Sequence, residues 1–171
     1  MTTLIPKIDL MDGGSTPAGA INRPFNEKLA ESVSVKDFGA VGDGATDDTT
    51  AINNAIASGK SVYFPAGTYM TTGGHSITYP SNQSFYGDFY GASIIKKISG
   101  TSTIFDIAQY AQCSFDNLTI DGNSLSGRAF MWRAHYSTMS NVVINNIGSA
   151  TYAVHISGSN LCTFDNVNIN N

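Results

Sequence analysis

The stretch SFDNLTIDG, Ser114–Gly122, recurs twice downstream, as TMSNVVINN from Thr138 to Asn146 and as TFDNVNINN from Thr163 to Asn171. The offsets between copies are 24 and 25 residues. When the copies are stacked, Phe115, Met139 and Phe164 share a column, Leu118, Val142 and Val167 a second, and Ile120, Ile144 and Ile169 a third. Asn117, Asn141 and Asn166 form a polar column beside them. A second segment accompanies each copy upstream: TIFDI from Thr103, RAFMW from Arg128 and YAVHI from Tyr152. Two short strands per repeat, with apolar positions in register, describe a coil of parallel strands in which each turn stacks on the last at roughly 4.8 Å. The leucine signature of leucine-rich repeats is absent, and a β-sandwich would not keep columns aligned over such a period. The repeat therefore predicts a mainly β chain wound as a right-handed parallel β-helix. The asparagines mark a bend where stacked amides can hydrogen-bond from turn to turn.

Composition agrees. Charged residues are 13% of the 171, against roughly a quarter in ordinary domains, and Asn, Ser, Thr and Gly carry the polarity instead. Such residues favour turns and strands over helices. The net charge is −4 and the nine Lys and Arg are scattered, so no basic stripe points to nucleic acid. The N-terminal MTTLIPKIDLMDGG lacks the apolar run and cleavage site of a secretory signal, and no apolar stretch approaches the roughly 20 residues of a membrane span. Cys113 and Cys162 fall in one column two turns apart with Ser137 between them. That separation, roughly 9 to 10 Å, exceeds the roughly 7 Å reach of a disulfide, so both are expected to be free thiols.

Upstream of the repeats, NRPFNEKLAES suggests a short helix with Phe25 and Leu29 on one face, which must dock on something because two turns do not stand alone. A loose tail is the alternative. A second helix is predicted from Thr46 as N-cap, with Asp47 and Asp48 in its first turn, Ala51, Ile52, Ala55 and Ile56 on its apolar face, and Gly59 as its stop. SVYFPAGTYMTT follows as two strands joined by a Pro-Ala-Gly turn.

The segment VSVKDFGAVGDGATDDTTAINNAIASGKSVYFPAGTYMTT resembles the lead-in to the coil of the pectate-lyase-like β-helix superfamily. More narrowly, with the short helix before it, it is similar to phage tailspikes and capsule depolymerases. The resemblance is strong over residues 20–72. It implies a homotrimeric spike on a phage tail, acting outside the bacterial cell, whose N-terminus joins the tail or another spike and whose coil binds a surface polysaccharide, capsule or O-antigen. The full-length protein would degrade that polysaccharide as a lyase or hydrolase; a non-catalytic structural or adaptor spike and a bacterial polysaccharide lyase or hydrolase are the alternatives. On this reading residues 1–33 are an anchor or neck segment, 34–82 the lead-in and cap, and 83–171 the first turns of a coil expected to continue past Asn171. Deleting residues 1 to about 30 would abolish incorporation into the virion.

The acidic run SVKDFGAVGDGATDDT is the obvious place to look for chemistry. It fails as an EF-hand, which needs D-x-[DN]-x-[DN]-G and a distal Glu. Asp47 and Asp48 are explained by a helix start and Asp43-Gly44 by a turn, so no glycosidase pair is expected there. His75 in a Gly-rich loop, His135 between strands and His155, which lies two turns from Asp106, read as solvated surface side chains. Trp132 aligns with Ile107 and Ile156 and reads as core, whereas Tyr136 could stack on a sugar ring. No P-loop or nucleophile elbow occurs. No catalytic residue, metal ligand or cofactor is therefore assigned, the binding residues stay unassigned, and the catalytic site of the whole protein is expected outside residues 1–171. No membrane or nucleic-acid partner is expected.

Overall fold

A computed structural model describes residues 31–89, 91–148 and 152–170, so nearly all of the predicted helix (residues 22–32) and of the anchor segment lies outside the described residues, and Ser32 at the end of that helix belongs to a strand. The chain winds as a parallel β-helix of about five turns. Three stacks of strands form its walls. The first runs β1 (Ser32–Ser34), β3 (Ser61–Phe64), β6 (Asn82–Gly87), β9 (Gln112–Asp116), then the leading halves of β12 (Thr138–Asn145) and β14 (Thr163–Asn170). The second runs β2 (Asp43–Asp47), β4 (Gly67–Thr71), β7 (Ser93–Lys97), β10 (Thr119–Asp121) and the trailing halves of β12 and β14. The third comprises β5 (His75–Ile77), β8 (Phe105–Ile107), β11 (Phe130–Trp132) and β13 (Val154–Ile156). Every pairing is parallel, because each strand meets its counterpart one turn on.

The predicted columns are the observed register. Phe85 pairs with Phe115, Phe115 with Met139 and Met139 with Phe164; Ile120 pairs with Ile144 and Ile144 with Ile169. In the third stack Phe105 pairs with Phe130 and Ile107 with Trp132. Val62, Phe85, Phe115, Ile95, Ile120, Phe105 and Trp132 are wholly buried. Two-residue alternation produces this: along β7, Ser93, Ile95 and Lys97 point inward and Ile94 and Lys96 do not. Each large apolar side chain removed from water contributes about 1.5–3 kcal/mol, and the coil sums these contributions turn by turn.

The asparagine column makes the bend between first and second stacks. Asn117, Asn141 and Asn166 take left-handed φ of 54°, 51° and 48°, a conformation that asparagine tolerates and most side chains do not. Asn166 Nδ2 donates to Asn141 Oδ1 at 2.9 Å, while Asn141 Nδ2 donates to Asp116 Oδ1 at 3.0 Å. The amide ladder is thus real at its outer rung and ends on a carboxylate. One turn earlier the bend is Gly87, where a Cβ would lie 2.3 Å from the Asn117 carbonyl oxygen.

A helix, α1 (Thr49–Ala57), covers the start of the coil with Ala51, Ile52, Ala55 and Ile56 buried, the predicted face. Its start differs from prediction. Thr46 and Asp47 belong to β2, and Asp48 occupies the N-cap without a side-chain cap bond. Pairing with β4 wins these residues: Asp47 sits opposite Met70, and Asp48 N donates to Met70 O at 2.8 Å. The Thr46 hydroxyl meanwhile donates to Asp43 Oδ2 at 2.9 Å and cannot cap. Asp47 does that task from outside the helix, accepting from Thr49 N at 2.9 Å. A short 3-10 turn, Val35–Phe38, precedes β2; Ser34 and Asp37 close its capping box, a pattern legible in SVKD. Cys113 and Cys162 are both free thiols.

Candidate functional site

Each carboxylate of the acidic run accepts local hydrogen bonds. Asp37 takes Ser34 N at 2.8 Å; Asp43 takes Ala45 N at 2.9 Å and Thr46 N at 2.7 Å; Asp48 takes Val41 N at 2.7 Å and Gly42 N at 3.1 Å. The Thr46 and Ala45 amides hold the Asp43 carboxyl below the usual range, and the Thr49 hydroxyl and amide do the same for Asp47. Asp43 and Asp47 are thus stabilised as anions by backbone and hydroxyl donors, the opposite of the raised pKa that a glycosidase acid needs. Further along the coil, Asp116 accepts from Ser140 Oγ and Asn141 Nδ2, and Asp121 lies 3.3 Å from the Lys96 ammonium.

His75 is the correction among the histidines: it is wholly buried, not solvated. It begins β5 and pairs with Phe105, which turns its ring inward. Nε2 meets Thr71 Oγ1 at 2.7 Å and Nδ1 meets Asn53 Oδ1 at 2.7 Å. Thr49, 3.3 Å from the Thr71 hydroxyl and bonded to Asp47, extends the network. One polar chain therefore fastens α1 to the first full turn. Beside it, Asn53, Ile56, Gly74, Ser76, Thr78 and Gln83 line an open groove of about 510 Å³.

Burial pushes the His75 imidazole down to about 4 from 6.5, against a smaller opposing attraction from Asp47. The unfolded chain therefore binds the proton first as pH falls. The stability from a neutral buried His75 is complete above about 6.5, lost progressively below it, and fully lost below about 4. Between pH 7 and pH 5 this one group should remove about 2 kcal/mol. Denaturant unfolding at both pH values, on wild type and on His75→Gln, measures it. A pH dependence over this window as steep in the variant as in wild type would contradict the assignment.

The outward face of the third stack carries Ser76, Asp106, Met131 and His155 in register. Asp106 is paired with the Arg133 guanidinium, not with His155, which lies two turns away as the repeat implied. His155 is half-buried, its ring 5.8 Å from that of Tyr152. His135 is also half-buried and meets the Gly158 carbonyl oxygen through Nε2 at 2.9 Å. Trp132 is wholly buried, as expected of its column, and Tyr136 is exposed. Among the described residues no group of three or more His, Cys, Asp or Glu side chains is placed to hold a metal ion. The surface is lightly charged and carries hydroxyls, amides and exposed aromatic rings such as Tyr79, Tyr110 and Tyr136.

Residues 32–113 match the protein family described as rhamnogalacturonase A/epimerase, pectate lyase-like. The mannuronan C5-epimerase AlgE3 of Azotobacter vinelandii is 38% identical over 117 residues, which cover 57% of this chain and 6% of the epimerase. The tail spike protein of an Escherichia phage is 46% identical over 69 residues, covering 40% of this chain and 8% of the spike. Among solved structures, ORF18 of Geobacillus virus E2 matches with a TM-score of 0.66 at 27% identity, over 75% of this chain and 28% of that one. The chain thus spans 8% or less of the length of these two curated relatives. Over residues 32–113 the chain resembles the pectate-lyase-like family, and it counts a phage tail spike among its homologues.

Proposed function

We propose that the chain is part of a phage tail attachment protein that binds a bacterial surface polysaccharide, capsule or O-antigen, and in full-length form degrades it. The observation that carries this reading is the 46% identity with a phage tail spike, on a coil whose surface is polar, aromatic and poor in charge. The carboxylates of the acidic run are occupied by backbone donors, so the reading assigns cleavage to other parts of the protein and attachment to these turns. Residues 1–33 would join the tail or a neighbouring spike, and the spike would be a homotrimer on the virion.

Incubating the full-length protein with purified capsules and O-antigens tests this. Binding with release of oligosaccharides is expected, unsaturated products marking a lyase and saturated ones a hydrolase. Binding without release leaves an adaptor spike, and no binding sinks the proposal. The epimerase relative motivates one other reading, a bacterial polysaccharide-modifying enzyme. That enzyme would change uronate composition by NMR without shortening the chain.

A further inference from the structure

The corner between the third and first stacks carries a row of large exposed side chains on successive turns. Tyr79, Tyr110, Tyr136 and Leu161 are 66%, 55%, 65% and 73% exposed. Strand register on both sides puts them at one corner on successive turns: Tyr136 falls in column with Gln112 and Leu161, and Tyr110 stands two residues ahead of that column. His135 N donates to Ala111 O, and Tyr136 N to Asn160 O, tying the corner's turns together. The four side chains therefore sit at the same corner on successive turns, staggered and not in one column.

The backbone makes these identities hard to explain as architecture. Tyr110, Tyr136 and Leu161 take φ of 67°, 50° and 51°, the left-handed region, where a bulky residue is an outlier. At the other bend the same conformation is filled by Asn117, Asn141 and Asn166. Here the chain instead places two tyrosines and a leucine, and their exposure returns little burial energy. Strain of this kind, retained without a packing gain, marks a surface used for something else.

The chemistry of the row selects its occupant. A tyrosine gives a rigid apolar face and a hydroxyl at its edge. The Tyr110 ring packs on the His135 imidazole with centroids 4.8 Å apart. Exposed Gln109, Gln112 and Asn160 flank the row with amide donors and acceptors. A folded partner, a second copy of this chain included, needs roughly 800 Å² per side with a dry core. A staggered strip of three tyrosines and a leucine with polar flanks supplies no such core. It fits a narrow linear polymer whose repeating units each have an apolar face and a rim of hydroxyls.

We propose that this corner binds an extended glycan chain lying along the coil axis, with pyranose faces stacked on Tyr79, Tyr110 and Tyr136. The proposal rests on the polysaccharide-attachment reading and adds the site. The test uses full-length protein and a panel of purified capsular and O-antigen polysaccharides, comparing wild type with Tyr110→Asn/Tyr136→Asn. Asparagine suits the left-handed backbone, so the variant should fold at least as stably while losing both rings. At least about tenfold weaker glycan binding is expected, with Tm unchanged or higher, while Tyr110→Phe/Tyr136→Phe keeps most of the affinity. A folded asparagine variant that binds as wild type does overturns the site and leaves the attachment reading standing. Wild type that binds no member of the panel overturns the attachment reading, and the site with it. A variant that keeps glycan binding but loses self-association in sedimentation makes the corner a subunit interface and refutes the proposal.

Discussion

Phe115→Ala should be the most damaging single substitution in the coil, costing about 3–5 kcal/mol. Phe115 is wholly buried at the point where two stacks meet inside the coil. Its ring stacks on Phe85 at 4.8 Å between centroids and meets Phe105 at 5.2 Å, Phe130 at 5.0 Å and Trp132 at 5.9 Å. Truncation removes the transfer energy of a ring and leaves a cavity that parallel strands, fixed by hydrogen bonds on both sides, cannot collapse to fill. Phe115→Leu, nearer in volume, should cost about 1.5 kcal/mol or less. Because each turn contacts only its neighbours, the damage should be local. Amide exchange should accelerate in β6, β9 and β12 well before β2 and β4. A loss under about 1 kcal/mol, or protection lost uniformly, would mean the core is not layered as the register implies.

Much of this layering is legible in the residues themselves, and the reason is periodicity. The columns headed by Phe115, Leu118 and Ile120, the asparagine bend and the separated cysteines all follow from offsets of 24 and 25 residues. Where the period changes, the reading fails. His75 aligns with Phe105 at an offset of 30, so its inward place was hidden and its glycines suggested a loop. Lys97 occupies an inward position by alternation, but its charge argues for solvent. It is buried because its ammonium donates to the Ser102 carbonyl oxygen at 2.6 Å and to that of Ser126, from loops that come together only in the coil. The row at the corner is hidden for a similar reason. Its members are 31, 26 and 25 residues apart, so no single offset of the repeat picks them out.

Asp48 shows how a residue can be rightly located in architecture and wrongly explained, and it carries the second large effect. Its carboxylate is almost fully buried and reaches back to Val41 N and Gly42 N, one oxygen to each. These bonds hold the loop over the ring of Tyr69, so close that a Cβ on Gly42 would lie 2.7 Å from Tyr69 Cε1. Asp48→Ala leaves two backbone donors without acceptors and should cost about 2–4 kcal/mol. Asp48→Asn keeps one acceptor and should fall between. Tyr69 supplies a readout beyond stability. Its phenol is pushed up to about 12, first by burial and then by the Asp48 charge. In Asp48→Ala the loop lifts, water reaches the ring and the charge is gone, so every change acts in one direction. One tyrosine should move from the late part of an alkaline absorbance titration towards the ordinary value near 10. Asp48→Asn removes the charge while keeping most of the cover, so it should show a smaller move. If Asp48→Ala loses neither stability nor the late-titrating tyrosine, Asp48 is not the clasp of this loop. If it loses stability with Tyr69 still titrating late, the carboxylate serves the start of α1, as its place beside the helix first suggested.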